Sequence, residues 1–199
     1  MKFTIKIIKQ TMKNLITKTT ELAMEVTLKY IKPGDLAVDA TCGAGNDTVS
    51  LASAVGDGGK VVAFDIQERA VELTGERLRT EDLDNVSLHL ESFVNMDKYV
   101  EESSAAAVIF NLGYLPGGDH GITTVAETTL VGLAKALKVL KSGGILSVVL
   151  YDGHEEGRAE KTAVLEWARA LDSKAYHAAF VNFINQANYP PEILWITKK

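Results

Sequence analysis

Apolar positions along the chain fall into two alternating periods. From about Thr11 to Ile31, the residues Leu15, Ile16, Leu22, Ala23, Val26 and Ile31 share one face of a predicted helix, which Lys32-Pro33-Gly34-Asp35 ends. Leu36-Ala37-Val38-Asp39-Ala40 is a short apolar run, a strand, that stops at a glycine-rich turn. Asp47 to Val55 returns to helical spacing until Gly56-Asp57-Gly58-Gly59 breaks it. The unit repeats with Lys60 to Asp65 as strand, Arg69 to Leu78 as helix and Val86 to Leu90 as strand. A fourth strand, Ala106 to Phe110, runs into the loop Asn111-Leu112-Gly113-Tyr114-Leu115-Pro116-Gly117-Gly118. A helix from about Thr123 to Leu140 then closes on Lys141-Ser142-Gly143-Gly144, where glycine suits a left-handed exit, and a fifth strand covers Ile145 to Tyr151.

Strands alternating with helices at this spacing predict right-handed crossovers and a mostly parallel sheet covered on both faces. The end of the chain differs. After a helix from Glu156 to Leu171, the extended segments Ala175 to Phe183 and Glu192 to Thr197 are separated only by the Ile184 to Pro191 loop, which suits an antiparallel hairpin. The expected fold is therefore α/β, a seven-stranded mostly parallel sheet with an antiparallel C-terminal hairpin and helices on both faces. That arrangement resembles the Rossmann-like class I methyltransferases.

With 199 residues and 46% hydrophobic content, the chain is long enough for one domain with a substantial core. Apolar stretches such as Ile145 to Tyr151 are too short to span a bilayer, and Lys6, Lys9 and Lys13 interrupt the start of the chain, so no membrane association and a cytoplasmic location are expected. Cys42 is the single cysteine, which excludes an internal disulfide or a thiolate zinc cluster from this chain alone. His89, His120, His154 and His177 lack ligand spacing, so no metal is expected. The formal charge of −5 argues against an indiscriminate nucleic-acid binder. A lysine-rich extension at about 1–20 changes that picture locally. Residues 1–32 hold Lys2, Lys6, Lys9, Lys13, Lys18, Lys29 and Lys32 against Glu21 and Glu25, which fits either an RNA-facing end or a solvated helix face.

The loop after the first strand of an open parallel sheet lies where strand order reverses and ligands bind. In Asp39-Ala40-Thr41-Cys42-Gly43-Ala44-Gly45-Asn46, Gly43 and Gly45 let the backbone approach a ligand, and the amides at the start of the Asp47 helix point at what occupies the crevice. Taken alone, Gly-x-Gly fits a tight turn equally well. A dinucleotide loop would carry a third glycine where Thr48 stands, and Asp39 suits the ammonium of a methionine moiety better than a pyrophosphate. The expected cofactor is S-adenosyl-L-methionine. Asp65, about 20 residues past the loop at a strand end, either accepts from both ribose hydroxyls, with Gln67 on the same edge, or is a strand-end turn or helix-cap residue. Ser92 and Phe93 of Glu91-Ser92-Phe93 are expected to border the adenine, Phe93 as an apolar face.

Asn111-Leu112-Gly113-Tyr114, after the fourth strand, resembles the Asp/Asn-Pro-Pro-Tyr motif of amino-group methyltransferases, though it also fits a plain turn with a packed tyrosine. Methyl transfer from a sulfonium to nitrogen, which that resemblance implies, is an in-line displacement that needs an aimed, unprotonated lone pair. Asn111 and a backbone carbonyl near Leu112 can accept hydrogen bonds from an amine, and Tyr114 can stack on a planar base. In Tyr151-Asp152-Gly153-His154, at the end of the fifth strand, His154 is either a general base or a solvent-facing loop residue. Asn182-Phe183-Ile184-Asn185-Gln186 and Pro190-Pro191 fit either an acceptor wall or a plain connecting loop.

Together, Val38 to Thr48, Phe64-Asp65-Ile66-Gln67, Phe110 to Asp119, Phe183 to Gln186 and Pro190-Pro191 resemble the MnmM family, also called YtqB-like and long labelled ribosomal RNA methylases; the likeness runs from roughly Leu22 to Lys198. That resemblance implies a tRNA methyltransferase converting 5-aminomethyl-2-thiouridine to its methylaminomethyl form at the anticodon wobble position, with a homodimer as a further implication. It also directs attention to Tyr151 and His154, because a primary aliphatic amine must shed a proton before it reacts. The family usually carries a histidine where this chain has Phe93. The alternatives are an rRNA or small-molecule amine methyltransferase, or a noncatalytic module that binds S-adenosylmethionine.

Overall fold

A computed structural model of the chain describes residues 18–112, 124–153, 155–186 and 190–199. Its elements in chain order are α1 (Thr19–Leu28), β1 (Leu36–Asp39), α2 (Asn46–Val55), β2 (Lys60–Asp65), α3 (Glu68–Thr80), β3 (Val86–Leu90), a 3₁₀ helix (Phe93–Lys98), β4 (Ala105–Asn111), α4 (Ala126–Val139), β5 (Leu140–Leu150), α5 (Glu155–Arg169), β6 (Tyr176–Val181) and β7 (Glu192–Lys198). The strands form one sheet in the order β3-β2-β1-β4-β5-β7-β6. Pairs among β1 to β5 are parallel, and β7 runs antiparallel to both β5 and β6. This is the mostly parallel sheet with a terminal hairpin that the periodicity predicts.

Side-chain alternation along the strands divides the core into two layers. Ala37, Val61, Ala107, Ile109 and Ile145 meet Leu51, Ala52 and Val55 of α2 on one face. On the other, Val38, Phe64, Val108, Phe110, Leu146 and Val148 meet Leu133 and Leu137 of α4 and Val164 of α5. Each of the larger buried aliphatic side chains contributes about 1.5 to 3 kcal/mol of transfer free energy. Gly132 brings α4 close to this layer: a Cβ there would stand 2.5 Å from the ring of Phe93.

The exit of α4 differs from expectation. Leu140 is already extended (φ −67°, ψ 129°) and pairs with Ala105, so β5 begins there. Gly143, at φ +76°, instead forms the bend that carries the register from Leu140–Ala105 to Ile145–Ala107. A helix-period pattern that runs straight into a strand leaves no glycine cap to mark the change.

Candidate cofactor and acceptor site

Strand order reverses between β1 and β4, which opens a crevice beyond their carboxyl ends. Asp39 pairs with Ala63 on one side and Ile109 on the other. Asp65 and Asn111 lie two residues further along their strands, so the side chains of Asp39, Asp65 and Asn111 all face the α2 layer. The loop between β1 and α2 passes among them.

That loop is tied on every side. Cys42 N–H donates to the Phe64 carbonyl at 2.9 Å, and Gly45 N–H to the Cys42 carbonyl at 2.8 Å. Gly43 N–H donates to Asp65 Oδ2 at 3.0 Å, while Asp65 Oδ1 accepts from Gln67 N–H, also at 3.0 Å. Gly43 and Gly45 stand at φ +53° and +81°, in the left-handed region that glycine enters without strain. Gly45 also passes α3 closely, since a Cβ on it would lie 2.9 Å from the Thr74 Cα. Asn46, exposed, begins α2.

Asp39 is fully buried. Its carboxylate accepts from Thr48 Oγ1 at 2.6 Å and from Thr41 N–H at 3.2 Å. Burial, and then the neighbouring Asp47 carboxylate, push its pKa up to about 7, against the opposing pull of those two hydrogen bonds. Burial also raises Asp47, which the Asn111 amide opposes. Asp39, Asp47 and Asp65 therefore surround the loop with acid.

At the end of β4, Asn111 is held twice. Its backbone N–H donates to Thr41 Oγ1 at 2.8 Å, and its side-chain Nδ2 donates to the Asp47 carboxylate. With that NH₂ committed, the amide oxygen is the group it can offer to a ligand. Leu112 is buried, and its N–H donates to the Val149 carbonyl at 3.0 Å. Tyr151 stands partly exposed just past β5. Tyr114 and His154 lie outside the described residues. The hairpin meets the same edge: Glu192, at the start of β7, pairs with Leu150, and Asn182 Nδ2 donates to Glu192 Oε1 at 2.5 Å. Lys161 of α5 bridges Asp152, at 2.8 Å, and Glu192. Ile184 is 95% exposed beyond β6.

Phe93 requires a correction. Its ring is buried on the opposite layer, edge-on to Phe110 with centroids 5.3 Å apart, so it packs the core instead of forming an apolar face for adenine. The cause is the 3₁₀ helix that starts at Phe93 and turns the side chain under the sheet. Ser92 caps that helix, its hydroxyl accepting from Val94 N–H at 3.4 Å. Ile66, which no motif position marks, is 56% exposed directly after Asp65, and Leu90, the partner of Asp65 at the end of β3, is equally exposed. Large apolar side chains left open at a strand's carboxyl end are the available signal for an aromatic ligand's face.

The donor set fits one cofactor class. Two left-handed glycines, a strand-end carboxylate for a diol and a ring of acids suit a cationic sulfonium and ammonium, and the same acids would repel a pyrophosphate. Fold and site together define a Rossmann-like S-adenosylmethionine-dependent methyltransferase. The chain belongs to the family described as "Putative rRNA methylase", whose model matches residues 61–197. A second model, protein-L-isoaspartate(D-aspartate) O-methyltransferase, matches residues 4–92, the cofactor half without Asn111.

Among solved structures, a "putative rRNA-methylase" from Clostridium thermocellum is 45% identical, with a TM-score of 0.89, covering 92% of this chain and 98% of that one. A "putative methyltransferase" from Streptococcus mutans in complex with SAH is 37% identical, with a TM-score of 0.83 and the same coverage of both chains. A chloroplastic tRNA (mnm(5)s(2)U34)-methyltransferase of Arabidopsis thaliana is 41% identical over 164 residues, or 77% of this chain. The present chain spans 60% of that relative's length. Among the described residues, no helix is long and apolar enough to cross a membrane, and no group of three or more His, Cys, Asp or Glu is placed to hold a metal ion.

Proposed function

We propose that this methyltransferase acts on the primary amine of 5-aminomethyl-2-thiouridine at the wobble position of a tRNA anticodon. The observation that carries the reading is Asn111, set at the switch point and locked to the cofactor-loop helix through Asp47 and to the loop itself through Thr41. The resemblance of the Asn111 to Asp119 segment and the likeness to the chloroplastic tRNA enzyme support the same acceptor.

S-adenosylmethionine supplies an electrophilic methyl group on a sulfonium. Asp65 would accept the ribose hydroxyls, Gly43 and Gly45 would admit the ligand to the backbone, and Ile66 would offer an apolar face to the base. The Asn111 oxygen would accept an N–H of the incoming amine and so orient its lone pair, which makes positioning the chief contribution of the protein to catalysis. Tyr114 stacks on the nucleobase. An ammonium must first give up a proton, and Tyr151 and His154 are the residues for that step.

Incubation of the protein and labelled cofactor with tRNA lacking the final methyl group should label the wobble nucleoside, identified after nuclease digestion. Label that appears on free small amines while the anticodon nucleoside stays unlabelled overturns the RNA reading in favour of a small-molecule acceptor.

A further inference from the structure

Two side chains of α3 reach the cofactor loop from far along the chain. Thr74, fully buried, donates from Oγ1 to the Gly43 carbonyl at 3.1 Å. Arg77, one turn later and exposed, donates from Nε to the Ala44 carbonyl at 2.9 Å. Consecutive carbonyls of the loop are thus drawn to the same helix. In a trans peptide the N–H points opposite to the C=O. Holding the Gly43 carbonyl against α3 turns the Ala44 N–H away from α3. Holding the Ala44 carbonyl turns the Gly45 N–H back to the Cys42 carbonyl, the bond observed at 2.8 Å. A loop containing two left-handed glycines has many other conformations open to it, and these two contacts select one.

We propose that Thr74 and Arg77 are positioning residues for S-adenosylmethionine: they set the peptide planes of Gly43 and Ala44 so that the loop is shaped for the cofactor before it binds. Neither side chain needs to touch the cofactor. The inference rests on the cofactor loop alone and is independent of the acceptor's identity. Preorganisation of this kind acts on affinity, because a loose loop must be ordered at the moment of binding.

The test uses the full-length protein with Thr74→Val, Thr74→Ser and Arg77→Met. Titration calorimetry with S-adenosylmethionine should show the dissociation constant rising on the order of tenfold for Thr74→Val and for Arg77→Met, as expected for one lost hydrogen bond each, with Thr74→Ser close to wild type. Amide hydrogen exchange in the free protein should show the Gly45 amide exchanging on the order of tenfold faster in both defective variants, with the β4 and β5 amides unchanged. Arg77 is exposed, so its variant folds and supplies the decisive reading. Affinity within twofold of wild type in Arg77→Met, or unaltered Gly45 exchange there, overturns the proposal, as does a Thr74→Ser variant as impaired as Thr74→Val.

Discussion

The side-chain amide of Asn111 donates to the carboxylate of Asp47, a contact between residues 64 positions apart that joins the end of β4 to the first turn of α2. One residue thereby belongs to both halves of the site. Its N–H₂ is bound to the cofactor-loop helix, and in the proposed function its oxygen is the group turned to the acceptor. Asn111→Ala is expected to lower kcat about 100-fold, the scale of a misaligned reacting pair, while the dissociation constant for S-adenosylmethionine changes only a few-fold. Single-turnover kinetics beside direct cofactor titration separates the two. A large loss of cofactor affinity with normal turnover at saturation would show Asp47 to be the more important of its partners.

Asp65 has a double role of a different kind. Each of its oxygens accepts a backbone amide, from Gly43 and from Gln67, so the residue shapes the loop as well as facing the crevice. Asp65→Ala should weaken S-adenosylmethionine binding by about 1.5 to 3 kcal/mol, the usual worth of a hydrogen bond to a charged group. Asp65→Asn should recover only part of this, because its NH₂ cannot accept an amide. Equilibrium dialysis checks both, and an alanine variant that binds like wild type would remove Asp65 from the cofactor site.

What could be read from sequence was what is local in sequence. The glycine pair, the acid before it and Asp65 at a strand end all announce themselves by spacing, and all fall at one sheet edge. Contacts made across the fold carry no such mark. Thr74 and Arg77 look like ordinary positions of an amphipathic helix, and their partners lie 31 and 33 residues away. Phe93 follows β3 as an adenine-site residue would, but a single 3₁₀ turn decides which layer its ring enters, and periodicity does not report so short an element. The Gly143 bend is hidden in the sequence for a related reason: a left-handed glycine is equally at home in a helix exit and in a strand irregularity.

Lys161 ties α5 to the edge where β5 ends and β7 begins. Its ammonium lies between Asp152 and Glu192, the latter only 5% exposed, and so links α5 to the ends of two strands. Burial works against its charge, but the two carboxylates outweigh it and raise its pKa. Lys161→Met would leave two carboxylates facing each other without a cation, at a cost near the lower end of the ~3 to 5 kcal/mol seen when a buried pair is broken. Chemical denaturation should show that loss, and Lys161→Met with Glu192→Leu should recover a large part of it. Equal stability of the single variant and wild type would mean that the edge stands without this bridge.

Asp39 makes stability depend on pH in a direction opposite to that of most surface carboxylates. Its ordinary value is 3.8 and its folded value is about 7, raised by burial and by Asp47. Between those values the folded protein holds a proton that the unfolded chain has released. Stability is therefore greatest on the acid side of this window and declines as pH rises through it, with a slope of at most ~1.4 kcal/mol per pH unit from one proton. The proton belongs to the Asp39–Asp47 pair, so the apparent midpoint is a property of both. Asp39→Asn should remove this slope: its oxygen can still accept from Thr41 N–H, and its NH₂ can donate to Thr48. Urea denaturation at intervals from pH 5 to pH 8, compared between wild type and Asp39→Asn, measures the difference. A cationic cofactor favours the ionised pair, so S-adenosylmethionine binding at pH 6.5 should release protons, seen as a binding enthalpy that varies with the ionisation enthalpy of the buffer, and the variant should lose that dependence. Parallel stability profiles in the two proteins would mean that Asp39 stays ionised in its buried position.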